Sequence, residues 1–200
     1  MTPKVLLSLY LLLFIALGIA PYDRAVWVAE NLPIVAIVAL LVIIYRKQPF
    51  SNLAYLLMAC LIFLHTIGGH FTFERVPFDF VSELFGFERN HYDRMAHFTV
   101  GFYAFPCAEL LLRRRLVNSR VILALFPVFF IFTVAAGYEL FEWWYAVHAD
   151  PAAGIAVLGS QGDIWDAQKD ILADGLGALA ATGLFFAVRW RGIKQTLLRA

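Results

Sequence analysis

Two short motifs in this sequence combine carboxylate and imidazole groups at helical spacing. Asp93 and His97 are four residues apart, and Glu139 and Glu142 are three residues apart, so each pair shares one face of a helix. Asp93 could orient the His97 ring, or both side chains could ligate the same ion. We predict Asp93 and His97 as metal ligands and Glu139 or Glu142 as a general base.

Further histidines and acids lie at the ends of other apolar segments. His65 and His70 occupy the last turns of one such segment, and Asp166, Asp170 and Asp174 form an i, i+4, i+8 stripe leading into another. Asp174 is two turns into its helix, beyond the range in which the helix macrodipole favours an acid. We predict His65, His70, Asp166 and Asp170 as additional metal ligands and Asp174 as a substrate contact or a support for a ligand.

The segment before the last stripe, residues 159–166, is rich in glycine and polar side chains. Its glycines permit a tight turn that could lower Gln161 and Asp163 towards the helix ends. It is equally compatible with an ordinary loop in which Asp163 or Asp166 caps the next helix. We predict Gln161 and Asp163 as substrate contacts or supports for a ligand, and Arg94 as a clamp for an anionic head group.

So many buried acids need a source of positive charge. Several are protonated, arginine pairs with them, or a metal ion lies among them. Mixed histidine and carboxylate ligands suit zinc, manganese or iron(II), and we predict a divalent metal ion, zinc or manganese. The competing interpretation is a set of structural polar clamps between helices.

The elements that carry these residues are predicted to be transmembrane helices. The sequence has 200 residues, of which 62% are hydrophobic and 16% charged, far from the roughly 25% charged content of a soluble domain. Six segments approach the about 20 apolar residues that a spanning helix needs. They are residues 5–20, 25–45, 53–73, 92–112, 121–146 and 167–190. The fold class is therefore an all-α polytopic membrane bundle, with residues 1–200 as one domain; the first segment could instead be a signal sequence, although Pro21 disfavours cleavage after Ala20.

The charges predict the orientation of this bundle. Eleven of the sixteen lysines and arginines fall on one side, which we assign to the cytoplasm together with both termini. Fourteen of the fifteen acids, all but Glu109, and all five histidines fall on the other side or in the outer halves of helices. The net charge of +1, without a concentrated basic face, argues against a nucleic-acid partner. The expected partner is the lipid bilayer.

Several common catalytic signatures are missing from the sequence. It has no HExxH motif, no serine elbow with a partner histidine and no Walker loop. Our leading hypothesis is a metal-assisted hydrolase or transferase that acts on a lipid-linked or envelope substrate from the outer leaflet. The alternatives are an ion- or proton-coupled transporter and a non-catalytic protein that binds an envelope lipid or a cationic or antibiotic-related compound.

The same motifs carry a family resemblance over about residues 20–190. The chain resembles the YjdF family of bacterial inner-membrane proteins, which implies a location in the bacterial inner membrane. The segments that carry the resemblance are DRMAHF at 93–98, GYELFEW at 137–143, GSQGD at 159–163 and DILADGLG at 170–177.

The chain is also similar, more distantly, to VanZ-like proteins of the cell envelope, which are associated with glycopeptide-antibiotic tolerance. Their pattern is Asp-basic-x-x-His, a later Glu-x-x-Gln, and then Asp-x-x-x-Asn-x-x-Gly. The matching residues are Asp93, Arg94, His97, Glu139, Asp170 and Gly177. Glu142 stands in place of the glutamine and Asp174 in place of the asparagine, and both departures add negative charge, which favours a cation.

Overall fold

The protein consists of α-helices throughout the part that the structure describes. A computed structural model describes the backbone of residues 2–197 and the side chains of residues 2–190 and 193. Within residues 2–197 there are nine α-helices, one 3-10 turn and no strand. The helices are α1 Thr2–Gly18, α2 Arg24–Ile44, α3 Asn52–Phe71, α4 Asp79–Phe85, α5 Tyr92–Val100, α6 Ala104–Arg113, α7 Arg120–His148, α8 Pro151–Leu158 and α9 Asp166–Leu197, and the 3-10 turn is Gly101–Tyr103. The prediction of an all-helical chain is confirmed.

Five helical stretches are long and apolar enough to cross a membrane. They are α2, α3, the α5–α6 pair, α7, and α9 as far as Trp190. Helix α1 is apolar but has only 17 residues, which rise about 26 Å at 1.5 Å per residue, somewhat less than the roughly 30 Å of hydrocarbon. Large apolar side chains such as Leu12, Ile43 and Phe129 are exposed, as expected on a surface that meets lipid. The chain is a multi-pass membrane protein with at least these five candidate spans.

The fourth span is a broken helix rather than the continuous one predicted for residues 92–112. Helices α5 and α6 are joined by the 3-10 turn Gly101–Tyr103. Pro106 lies in the first turn of α6; it has no amide hydrogen and its ring clashes with the carbonyl four residues before it, that of Phe102. The tighter 3-10 geometry accommodates this disruption inside the span.

Several helix ends differ from the predicted bounds. Helix α3 ends at Phe71 because Thr72 and Phe73 adopt positive φ angles of 59° and 56°, and the Phe73 amide donates to the Gly68 carbonyl at 2.8 Å. Helix α9 continues beyond residue 190 to Leu197. The short helices α4 and α8 were not predicted, although Asp150 accepts a hydrogen bond from the Ala152 amide as a normal N-cap of α8.

The largest hydrophobic cluster among the described residues lies where α3, α6, α7 and α9 pack together. Phe105 and Phe185 are fully buried there, with ring centroids 5.3 Å apart in an edge-to-face arrangement. Ala104 and Ala178 are also fully buried, and their small side chains allow α6 and α9 to approach closely. This packing holds α9 against the broken span, which carries the predicted site residues Asp93, Arg94 and His97.

Three basic residues used for the predicted orientation, Arg191, Lys194 and Arg199, lie outside the residues whose side chains the structure describes.

Candidate metal centre

Two glycines bring α5, the 3-10 turn and α9 into backbone contact beside the predicted site. A Cβ atom on Gly177 would overlap the Phe98 carbonyl oxygen, and one on Gly101 would overlap the Ala178 nitrogen. Asp174 precedes Gly177 by three residues and therefore shares its face of α9. The close approach thus presses the acidic stripe of α9 against the helix that carries Asp93 and His97.

His97 lies at the centre of this contact and faces three carboxylates. Its Nδ1 is 3.3 Å from Asp174 Oδ2, while its Nε2 is 3.7 Å from Asp93 Oδ1 and 3.9 Å from Asp170 Oδ1. With Nδ1–H donating to Asp174, the lone pair of Nε2 points towards Asp93 and Asp170. A carboxylate that orients a histidine through its other ring nitrogen is a common support for a metal ligand.

Asp93, His97 and Asp170 form a group that could hold a metal ion. One ligand atom from each side chain can be chosen such that all three lie within 4.8 Å of one another. Three protein ligands are the usual complement of a catalytic zinc site, which keeps a further position open. Of the six predicted ligands, the structure brings these three together.

Asp166, a fourth predicted ligand, is held by two arginines. Its Oδ1 accepts from Arg94 Nη2 at 2.5 Å and from Arg89 Nη1 at 2.7 Å. Arg94 also pairs with Asp170 and donates to the Asp166 carbonyl at 2.9 Å. Both guanidinium groups are therefore already engaged by protein acids, and Arg94 would have to exchange a partner before it could clamp an anionic head group.

Gln161 and Asp163, in the loop before α9, form hydrogen bonds with residues outside this loop. The Gln161 side chain accepts from the Asn90 amide and donates to the Asn90 carbonyl, each at 3.0 Å. Asp163 Oδ2 accepts from Lys169 Nζ at 2.6 Å, and this contact, with the Trp165 amide, lowers the pKa of Asp163 from its ordinary value. The predicted role of both residues as substrate contacts stays a prediction; the contacts seen here are with protein groups.

His91, immediately before α5, is not part of this group. Burial and the nearby positive charges of Arg89 and Arg94 lower the pKa of His91 from its ordinary value. Its neutral form is therefore favoured at neutral pH, and His91 adds no compensating charge to the carboxylates.

A second polar group joins α2, α3 and α7 next to the candidate ligands. Glu30 is 2% exposed, lies 3.1 Å from His65 Nε2, and accepts from the Tyr138 hydroxyl at 2.9 Å. The aromatic rings of Tyr138 and His97 are 6.5 Å apart, which places the two groups side by side. His65, predicted as a metal ligand, is thus paired with an acid outside the three-residue ligand group.

A cavity of about 150 Å³ lies between these two groups. Its polar wall is formed by six ionisable residues and Tyr138, and the remainder of its wall is mostly apolar. The ionisable residues are Glu30, His65, Asp93, His97, Glu142 and Asp174. The candidate ligands Asp93 and His97 therefore face an internal space large enough for a small ligand group.

The two predicted general bases differ in their relation to this cavity. Glu142 lines it, whereas Glu139 does not, although Glu139 Oε1 is buried without a hydrogen-bond partner among the described residues. Tyr138 and Glu142, four residues apart, share the face of α7 that meets the cavity. The i, i+3 spacing of the two glutamates consequently places them on adjacent sides of one helix.

His70 lies apart from the candidate ligands. Its Nδ1 is 2.6 Å from the Leu17 carbonyl at the end of α1, and its ring meets Trp27 edge-on at a centroid distance of 6.4 Å. In this arrangement His70 connects α3 to α1 rather than joining the group around His97.

Sequence reasoning did not select Glu30, Tyr138 or Arg89. Glu30 had a usable signal, since an acid within an apolar span is costly and marks a functional candidate. Tyr138 and Arg89 had none, because a tyrosine beside an acidic motif and an arginine in a loop are both common. Their roles depend on contacts between residues far apart in the chain.

The fold and this cluster define a multi-pass membrane protein with a buried site of histidines and carboxylates. The sequence profile of a family described as "Predicted membrane protein (DUF2238)" matches residues 2–191, and the chain belongs to this family. It is 38% identical over 182 residues to the "Inner membrane protein YjdF" of Escherichia coli (strain K12), a match that covers 88% of this chain and 84% of the relative. No solved structure matches the chain.

These comparisons confirm the expected resemblance to the YjdF family and the expected location. The protein is an inner-membrane protein embedded in the lipid bilayer.

Proposed function

We propose that this protein binds a divalent metal ion, zinc or manganese, through Asp93, His97 and Asp170. The observation that carries the proposal is the meeting of these three ligand atoms within 4.8 Å. The contact between His97 Nδ1 and Asp174 supports it, because this contact directs the free lone pair of Nε2 towards the two aspartates. One imidazole and two carboxylates suit zinc or manganese better than thiol-seeking metals.

The proposed activity is hydrolysis or group transfer on a lipid-linked or envelope substrate. A divalent ion with an open position supplies Lewis-acid chemistry for an ester or phosphoryl group. Glu142 is the better placed of the two candidate bases, because it lines the cavity that Asp93 and His97 also line. Arg94 holds Asp170 and Asp166 in place and so positions one of the three ligands.

In the proposed topology the chain has six spans with both termini in the cytoplasm. Helix α1 completes the sixth span, and His70 and Tyr10 bind it to the bundle: His70 contacts the Leu17 carbonyl, and Tyr10 is buried. The basic residues that flank the spans support a cytoplasmic location of the termini. The metal centre then faces the extracytoplasmic side, where envelope substrates are found.

The VanZ-like resemblance supports the same group of residues. Asp93, His97 and Asp170 occupy its motif positions, and Asp174, which replaces its asparagine, contacts His97. The extra negative charge is compatible with a bound cation. This resemblance rests on the motifs alone.

Metal titration of protein purified in nonionic detergent and stripped with a chelator tests the metal site. We expect one zinc or manganese ion per chain by calorimetry and by elemental analysis, with affinity lowered at least about tenfold, or about 1.4 kcal/mol, in Asp93→Asn, His97→Gln and Asp170→Asn. His148→Gln is the matched control, because His148 is exposed and its hydrogen bond and its ring contact are both with Trp144, away from the candidate ligands. Failure to bind either metal, or equal loss of affinity in the control, would contradict the proposal.

The transporter alternative has one supporting feature, the linked contacts of Glu30, His65 and Tyr138. Chains of this kind occur along proton pathways. In the described part of the α5–α6 span, however, the residues between His97 and Glu109 include the fully buried Ala104, Phe105 and Ala108, which separate the polar groups at the two ends. A proteoliposome flux assay in which Glu30→Gln abolishes transport would favour the alternative over the metal-assisted enzyme.

A further inference from the structure

The cavity beside the metal centre has an unusual charge. Four carboxylates line it, from Glu30, Asp93, Glu142 and Asp174, and no lysine or arginine is among the described residues of its wall. The arginines of this region, Arg89 and Arg94, are directed instead to Asp163 and Asp166. Apart from the imidazoles of His65 and His97, the charged side chains that a ligand meets in the described wall are therefore all carboxylates.

Two of these carboxylates lack the contacts that buried acids normally make. Glu142 is 8% exposed, and the structure gives its side chain no hydrogen bond or ion pair with any described residue. Asp174 is 1% exposed; its Oδ2 contacts His97 Nδ1 at 3.3 Å, but its Oδ1 has no hydrogen-bond partner within the described part of the chain. Burying a carboxylate without a partner is costly, so the arrangement favours a cationic group in the cavity.

The wall of the cavity also contains aromatic rings. Phe73 and Tyr138 flank His65, with ring centroids 4.9 Å and 6.1 Å from the imidazole, and both line the cavity. The face of an aromatic ring attracts an ammonium group. A hydrated metal ion gains less from such a wall than an organic cation does, because the rings offer it no oxygen or nitrogen ligand.

The other end of the cavity is apolar. Pro33, Ile37, Leu61, Val100 and Val134 line it. Val134 lies near the middle of α7 and is 44% exposed, so this end reaches the lipid-facing side of the bundle. An alkyl chain could enter there while its polar end meets the carboxylates.

We propose that the cavity binds an amine-headed amphiphile, with its ammonium group between Glu30 and Glu142 and its alkyl chain along Ile37 and Val134. This inference names the substrate class of the proposed metal centre and in that sense rests on the proposed function. An ammonium group bound there lies beside Asp93 and His97, which line the same cavity. The adjoining part of an amphiphile would then face the proposed metal ligands.

Calorimetric titration of the metal-stripped protein with hexylammonium chloride tests the inference without the metal. We expect saturable binding of hexylammonium, with hexan-1-ol and hexanoate at least about tenfold weaker. Methylammonium should also be at least about tenfold weaker, since it lacks the chain that the apolar end accepts. Equal binding of hexan-1-ol would show that charge is not recognised, and equal binding of methylammonium would show a site for a small free amine; either result overturns the proposal.

Three variants locate the site. Glu142→Gln should weaken hexylammonium binding about tenfold, and Val134→Phe should weaken hexylammonium while leaving methylammonium unchanged. Glu83→Gln, the same chemical change at an exposed residue of α4, should have no effect. Hexylammonium affinity unchanged in both Glu142→Gln and Val134→Phe would place the ligand elsewhere and contradict the inference.

The outcomes also separate this inference from the metal proposal. Binding of hexylammonium without any metal binding would support the amphiphile site and contradict the metal centre. Metal binding without binding of hexylammonium would support the metal centre and contradict the amphiphile site.

Discussion

The two ends of the bundle differ in how completely their buried carboxylates are paired. The basic end is formed by the start of α3 and the end of α6. Among its described residues the one buried acid, Glu109, has hydrogen-bond or ion-pair partners at both carboxylate oxygens. It accepts from the Ser51 amide at 2.9 Å and the Ser51 hydroxyl at 2.6 Å, and it pairs with Arg113 and Arg189 at 3.4 Å and 3.7 Å. Glu109 therefore ties α3, α6 and α9 together and leaves no acceptor without a partner.

At the opposite end, hereafter the acidic end, carboxylates outnumber the fixed cations. The acids are Glu30, Asp93, Glu139, Glu142, Asp163, Asp166, Asp170 and Asp174, and the fixed cations in contact with them are Arg89, Arg94 and Lys169. Some of these acids have oxygens without partners and line a cavity. The buried acid of the basic end is therefore satisfied by protein groups alone, whereas oxygens of Glu139 and Asp174 at the acidic end have no hydrogen-bond partner among the described residues.

The largest effect is expected from removing the arginine that links the acidic end. Arg94→Gln should lower the free energy of unfolding by about 3–5 kcal/mol, because it leaves buried Asp170 without its arginine partner and Asp166 with Arg89 alone. Denaturant unfolding in mixed micelles measures this. Adding Asp170→Asn should recover part of the lost unfolding free energy. If the loss in the double variant equals the sum of the losses in Arg94→Gln and Asp170→Asn, the pairing of these two residues is not the cause.

A smaller effect is expected at the basic end. Glu109→Ala should cost about 2–3 kcal/mol of unfolding free energy, because Ser51 loses a charged acceptor for two hydrogen bonds. Metal affinity should stay unchanged in this variant. A fall in metal affinity equal to that of His97→Gln would remove the proposed distinction between the two ends.

The contact between α5 and α9 connects fold and site. Gly177→Ala should destabilise the protein by about 1–3 kcal/mol, because the added Cβ overlaps the Phe98 carbonyl, and it should also weaken metal binding by displacing Asp174 and Asp170. Gly183→Ala, in the same helix with open space around its Cβ position, is the control and should be neutral or slightly stabilising. Thermal unfolding and metal titration of the two variants, side by side, check this.

The smallest effect is expected at the surface of the acidic end. Lys169→Met should raise the pKa of Asp163 towards its ordinary value, because the Lys169 contact is the main cause of its lowering. A lowered folded-state pKa stabilises the protein above the unfolded value near 3.8 and loses that effect as the pH falls through the folded pKa. The variant should therefore be less stable than the parent at neutral pH, and the two stabilities should converge in strong acid. Carboxyl-carbon NMR titration of Asp163 measures its pKa in both proteins. An unchanged pKa in the variant would contradict the role of Lys169.

The fold was predictable from the sequence where local signals were strong. Apolar length identified the spans, and Asp23, Ser51 and Ser119 start α2, α3 and α7 as ordinary N-caps. The break at Gly101–Tyr103 was missed although Pro106 indicated it. Helix α8 was missed because eight residues give too short a pattern to separate from a loop.

The site was predictable only as a set of residue types at one depth. Spacing on a single helix correctly placed Asp93 beside His97, which are 3.7 Å apart at Oδ1 and Nε2. It could not show that Arg94 pairs with Asp166 or that His70 contacts α1, since these partners are set by packing between segments far apart in the chain. Glu30 could have been selected as an acid within an apolar span, but its partners His65 and Tyr138 lie on two other helices and could not be identified from the sequence.

Anomalous diffraction from crystals grown with zinc tests the central claim most directly, because it locates the ion without reference to activity. The account predicts one strong peak within bonding distance, about 2.0–2.2 Å, of His97 Nε2 and of carboxylate oxygens from Asp93 and Asp170. A peak only at His91 or His148, or the same peak in crystals of His97→Gln, would contradict it.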